Sequence, residues 1–211
     1  MSYLFFFDTE TTGFGPDDEV IQFAGILTDT NMNIIDVVNF YCNPAKIIPR
    51  EAVNVHGLTN ADVYKLSHGH FIDEFIFKYD WLVSPKDIVF IGYNVEFDVR
   101  LVNQSLLLNG CEGINFGTRV NVIPRDTKHK SYKLCMMETI KNNLGYYKNQ
   151  KLVNVTREHL HFNSNKVAEK IELLCEYFNV DRPKHCNAHD ALYDSFMTMM
   201  LFNRFKHFYL V

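Results

Sequence analysis

Three short stretches of this 211-residue chain place acids where strands end or helices begin. The first is Tyr3 to Gly13, YLFFFDTETTG. Asp8 and Glu10 stand two apart, and in an extended chain such positions point to the same side. Two like charges that close repel, and each favours its protonated form. A divalent cation resolves the conflict, and a hard ion such as Mg2+ takes oxygen ligands. The same residues also suit a capping box or a solvated turn, since Asp and Thr are common where loops start.

The second stretch, Ile91 to Arg100 (IGYNVEFDVR), repeats that logic: an apolar strand, a polar turn with Asn94, then a helix carrying Asp98. A carboxylate in a first helical turn is also favoured by the helix dipole, by about 0.3–1 kcal/mol. Its place directly before an apolar-periodic run points Asp98 toward the end of the sheet. Glu96 is a competing carboxylate, and Phe97 suits either the core or a wall against a base. The third stretch is His189 to Asp194, HDALYD, at the start of the last helix. A His beside acids titrates near neutrality and can act as a general base. His185, Cys186 and His189 have no second Cys/His cluster to complete a transition-metal site.

These residues need elements that converge. Tyr3 to Phe7 is apolar without alternation, as in a strand buried on both faces. Val20–Thr28 and Ile34–Tyr41 read as two more strands joined by a tight turn, an antiparallel hairpin. Asn43-Pro44 and Ile48-Pro49 mark a loop, and Asn60 caps a short helix over Ala61–Leu66. A helical stripe runs from Phe71 to Leu82. Ile88–Gly92 is a buried strand and Val95–Leu108 a helix ended by Asn109-Gly110. Residues 111–131 read as irregular. Helices follow over Leu134–Asn143, Lys166–Phe178 and Ala191–Phe208.

Composition bounds the class. The length suits one domain, residues 1–211, and 47% apolar residues suit a globular chain with a large core. No apolar run is long enough for a bilayer, and no basic region precedes a cleavable apolar stretch. Five cysteines (Cys42, Cys111, Cys135, Cys175, Cys186) without a C-x-x-C pair point to reduced thiols, a cytoplasmic setting and no zinc site. Charge is segregated. Residues 1–109 carry six Lys and Arg against fifteen Asp and Glu, whereas residues 110–166 carry ten against four. In that basic, partly irregular block, Phe116, Tyr132, Tyr146, Tyr147 and Phe162 are interleaved with Arg119, Arg125, Lys128, Lys130, Lys133, Lys148 and Lys151. Aromatics stack on bases while Lys and Arg follow phosphates; a solvated basic surface over ordinary core aromatics gives the same pattern.

Together, D-x-E-T-T-G at Asp8–Gly13, N-x-x-F-D at Asn94–Asp98 and H-x-x-x-x-D at His189–Asp194 resemble the DEDDh, or DnaQ-like, 3′→5′ exonucleases. The segment Asn43-Pro44 to Thr59, with Ile48-Pro49 and His56-Gly57, resembles that family's P-x-x-x-I-P…H-G-I-T stretch. The resemblance implies a ribonuclease-H-like α/β fold: a mixed sheet with an antiparallel opening hairpin, then parallel strands, flanked by helices. It implies that Asp8, Glu10, Asp98 and Asp194 hold two divalent cations, Mg2+ or Mn2+, about 4 Å apart, and that His189 is the general base. It implies substrate contacts at Thr11, Thr12, Gly13, Phe14, Ile47, Val55, His56, Asn94 and Phe97. The expected substrate is DNA or RNA with a free, single-stranded 3′ end, and the products nucleoside 5′-monophosphates. Tyr93, Asp190 and Ser195 depart from the family pattern, and the Asp190 anion is expected to raise the pKa of His189. A nucleic-acid binding module without turnover, and a hydrolase of short oligonucleotides or other phosphodiesters, are the alternatives.

Overall fold

The first strand does not stop where its apolar run stops. In the computed structural model, which describes residues 3–78, 87–121, 123, 131–144, 151–160 and 163–209, β1 spans Tyr3–Thr11 and carries both acids inside the strand. β2 (Val20–Thr28) and β3 (Ile34–Tyr41) form the expected antiparallel hairpin. The Asp29 carboxylate ties its turn by accepting the N–H groups of Asn31 and Asn33, each at 2.9 Å. β4 (Ile88–Gly92), β5 (Thr118–Val120) and β6 (Tyr132–Cys135) complete a six-stranded sheet of order β3-β2-β1-β4-β6-β5. β1 and β2 are antiparallel, whereas β4, β6 and β5 follow β1 in parallel. This is the ribonuclease-H-like mixed sheet.

β1 is central, and both its faces are covered, which is why its apolar run does not alternate. Leu4 and Phe6 face one core with Ala24, Ile26, Val89 and Ile91. Phe5 and Phe7 face the other with Phe23, Phe90 and Phe116; Phe7 stacks on Phe116 at 5.9 Å between ring centroids.

Eight α-helices among the described residues cover the sheet. α1 (Arg50–His56) and α2 (Asn60–Leu66) follow β3, then α3 (Phe71–Lys78) and, after β4, α4 (Val95–Leu108). α5 (Met136–Leu144), α6 (Leu152–Leu160), α7 (Ser164–Phe178) and α8 (Ala191–Phe205) come last, and a 3-10 turn covers Lys206–Phe208. α4 contributes Val95, Leu101, Val102 and Leu106 to the Phe5/Phe7 core. α8 lies on the Leu4/Phe6 face, with α6 and α7 beside it.

Several boundaries move for local reasons. α1 forms where a loop was expected: Pro49 supplies an extended residue before it, and Gly57, at φ 73°, ends it in the left-handed region. Thr59, not Asn60, caps α2 through a reciprocal box with Asp62; Asn60 Oδ1 instead accepts the Ile48 N–H at 3.0 Å. The expected helix from Leu134 is the end of β6 followed by α5, because Leu134 and Cys135 pair with β4. α6 and β5 lie where no regular element was expected. The predicted helix Phe71–Leu82 is seen as far as Lys78, its remainder lying outside the described residues.

Candidate active site

The antiparallel register sets Asp8 opposite Ala24 and Glu10 opposite Gln22, so both acids leave β1 on the α8 side. One turn into α8, Asp194 supplies a third carboxylate. Ligand oxygens of Asp8, Glu10 and Asp194 all lie within 4.8 Å of one another. Asp98, only 2% exposed, arrives from the opposite layer in the first turn of α4. It is not part of that triple. Its Oδ1 accepts the Thr9 N–H at 3.0 Å and the Thr9 hydroxyl at 2.8 Å, which anchors α4 to β1.

Burial pushes Asp98 and Asp194 up to about 7, the Thr9 bonds opposing the shift at Asp98. Asp8 and Glu10 are also pushed well up, first by burial and then by neighbouring carboxylates, Asp98 foremost at Asp8 and Asp194 at Glu10. The donor set is all oxygen, and its charges repel, so it suits a hard divalent cation. Glu96 does not compete. Its carboxylate meets Lys133 at 2.9 Å and Arg119 at 3.9 Å, away from the triple.

His189 sits in the left-handed region, at φ 66°, an uncommon conformation for a residue with a side chain. Its N–H donates to Asp194 Oδ2 at 3.1 Å, so the turn and the third carboxylate form one unit. Burial first, then the charge of Lys151, lowers the His189 pKa. The net shift is thus opposite to the rise expected from Asp190. Asp190 is buried and caps α8, its Oδ1 accepting Leu192 N–H at 3.1 Å and Tyr193 N–H at 3.3 Å.

Gln22, which sequence reasoning missed, holds this unit in place. It is fully buried beside Glu10, accepts the Ala191 N–H at 3.2 Å, and donates to Asn39 Oδ1 at 2.9 Å and the Tyr41 hydroxyl at 3.2 Å. Tyr41 in turn accepts the Lys184 N–H at 3.1 Å, and Asn39 donates to the Asp181 carbonyl at 2.8 Å. The loop before α8 is thereby bound to β2 and β3. A lone amide inside the apolar run VIQFAGILT was the available signal.

The loop after β1 is organised by Asp18. Its carboxylate accepts the Thr12 hydroxyl at 2.7 Å and the Gly15 N–H at 2.6 Å, and pairs with Lys46. The Thr11 hydroxyl donates to the Gly13 carbonyl at 2.9 Å. Both threonine hydroxyls are thus used within the loop. A Cβ at Gly13 would lie 2.6 Å from Asp18 Oδ2, so the carboxylate that organises the loop would have to shift. Phe14, 76% exposed, meets Phe97 edge-on at 5.7 Å. Asn94 is exposed and makes no side-chain cap bond to α4. Ile47, 80% exposed, and Val55 stand out of the core. Val55 and His56 line a cleft that also takes in Tyr193 of α8. The Leu58 N–H donates to His56 Nδ1 at 3.0 Å, which leaves its proton on Nε2; burial lowers this His to about 4 and keeps it neutral.

Only part of the basic block lies among the described residues. Phe116 is core, Arg119 pairs with Glu138 and Glu96, and Lys133 pairs with Glu96. Arg125, Lys128, Lys130, Tyr146, Tyr147, Lys148 and Phe162 lie outside the described residues.

The RNase T family, described as Exonuclease, matches residues 5–202, nearly the whole chain. The chain belongs to this family of DnaQ-like, DEDDh-type exonucleases. Over 116 residues it is 34% identical to the uncharacterized exonuclease CP81 of Escherichia phage 186, covering 53% of each protein. Over 122 residues it is 30% identical to DNA polymerase III subunit epsilon of Rickettsia prowazekii, covering 55% of this chain and 49% of that one. The chain thus spans about half the length of these two relatives. The fold is shared with E. coli Exonuclease I in complex with a dA16 oligonucleotide, at a TM-score of 0.68 and 20% identity, over 98% of this chain and 41% of that one. Among the described residues, no helix is long and apolar enough to cross a membrane.

Proposed function

We propose that this chain is a single exonuclease domain that hydrolyses phosphodiester bonds of single-stranded DNA or RNA from the 3′ end, releasing nucleoside 5′-monophosphates. The observation that carries the reading is the approach of Asp8, Glu10 and Asp194 to within 4.8 Å, with His189 hydrogen-bonded through its backbone to the last of them. Family membership supports nuclease chemistry, and E. coli Exonuclease I, which shares the fold, has been seen with dA16 and dT13 oligonucleotides.

Asp8, Glu10, Asp98 and Asp194 are the residues that would hold two Mg2+ or Mn2+ ions, which when bound lower the pKa of water and neutralise phosphate charge. His189 takes the proton of the attacking water on an imidazole nitrogen. Its lowered pKa keeps it unprotonated, and so ready, at neutral pH. Backbone groups at Thr11, Thr12 and Gly13 receive the terminal sugar, in a loop whose own hydroxyls are already engaged. Phe14 and Phe97 wall the terminal base, with Asn94 beside them and Ile47 at the rim.

Matched 3′-labelled and 5′-labelled DNA and RNA oligomers, digested with Mg2+ or with EDTA, test this. Expected are immediate release of a labelled mononucleotide from 3′-labelled substrate, a descending ladder from 5′-labelled substrate, and silence in EDTA. Internal cuts, or full activity in EDTA, would overturn the reading.

A further inference from the structure

The two phenylalanines lie at the end of the sheet on its α4 side. A cleft of about 670 Å³ opens between α1, α6 and the turn that leads to His189, with Tyr193 of α8 in its wall. Its polar lining comes from Asn54, His56, Ser164, His185, Asn187 and Arg157, with Tyr193 beside them. Among the described residues, no carboxylate lines it. Ala188, directly before His189, and Tyr193, directly before Asp194, both belong to its wall. The cleft therefore adjoins the turn and helix that carry His189 and Asp194.

Arg157 is its cation. It is exposed on α6, and no carboxylate pairs with it among the described residues. Arg119, Lys133, Lys46, Arg182 and Lys184 all have such partners. An unpaired guanidinium in an acid-free cleft is suited to a phosphate, which its planar fork can grip with two hydrogen bonds. Lys151, directly before α6, adds a second charge close enough to act on His189. The volume lies within the range of sites that enclose a small organic ligand.

We propose that this cleft holds the nucleotide on the 5′ side of the scissile bond, with Arg157 gripping the next phosphate of the strand. The proposal rests on the exonuclease reading, because it takes the terminal nucleotide to lie against Phe14 and Phe97 across the sheet end. α6 then has a purpose within the basic segment: it carries a backbone-binding residue to the catalytic centre.

The test compares oligothymidylates of two to eight residues with thymidine 5′-(4-nitrophenyl phosphate), a phosphodiester with one nucleoside only. For Arg157→Ala the ratio of kcat/KM on the octamer to that on the ester should fall about tenfold, through KM. Arg157→Lys should recover part of it. The log–log salt dependence of octamer binding should flatten by roughly 0.7, the value for one lost single-strand phosphate contact. Anisotropy of a labelled octamer in EDTA, with an unchanged thermal melt for the variant, gives a readout without turnover. Equal losses on ester and octamer, or no loss of octamer binding, would overturn the proposal. If the wild-type chain cleaves neither substrate yet Arg157→Ala still weakens octamer binding, the exonuclease reading falls and the cleft stands.

Discussion

Removing divalent cations should make this protein less stable as pH rises, and the effect should be large. A carboxyl whose pKa is raised by folding binds its proton more tightly in the native state. Between its unfolded and folded pKa values the native state therefore holds more protons, and stability falls as pH rises through that window. Asp98 moves from the ordinary 3.8 to about 7. Its contribution is full below pH 4 and lost as pH passes 7. One such shift amounts to about 4 kcal/mol. For a chain of this length that is on the order of 10 °C in Tm. Asp194, also near 7, acts in the same direction. The assay is thermal unfolding in EDTA at pH 5, 6, 7 and 8, repeated with Mg2+ or Mn2+. Tm should drop across the series in EDTA and recover with the cation, by about 2.7 kcal/mol at one hundred times its Kd. Asp98→Asn keeps an oxygen for Thr9 but carries no charge, so it should flatten the EDTA series and abolish cleavage. A Tm in EDTA that is level or rising from pH 5 to 8 would refute the reasoning, as would an Asn variant with the wild-type slope.

His189→Ala should lower kcat by about 10²–10⁴ while keeping the cation-induced rise in Tm; loss of that rise would make His189 a ligand. The acid limb of the wild-type pH–rate profile should fall below the reference His value of about 6.5, because burial and Lys151 both act downward. Lys151→Ala should move that limb up, as read from initial rates between pH 5 and 8. Gly13→Ala forces a Cβ against Asp18 and should cost about 1–3 kcal/mol in a thermal melt, with a raised KM. Lys133→Ala should leave the salt dependence of strand binding unchanged and cost at most about 1 kcal/mol of stability, since its charge is already paired with Glu96.

The fold and the carboxylates were legible in the sequence because their signals are local. An unbroken apolar run announces a strand covered on both faces, and a two-residue step along it places Asp8 and Glu10 together whatever packs around them. The five-residue step from His189 to Asp194 likewise survives as a single hydrogen-bonded unit. Direction and pairing of charge were not local. Asp190 and Glu96 both read as anions near the centre. One is turned into a helix cap and the other toward Lys133, and only packing decided which way each side chain faced. Gln22 acquires its role from contact with residues 169 positions away. Arg157 sits on a helix that no pattern announced, and it reaches the site because α6 packs on α8. Spacing along a chain determines which groups leave an element together. Which group meets which across the sheet depends on layers brought together by burial of apolar surface, and that is decided by the whole core at once.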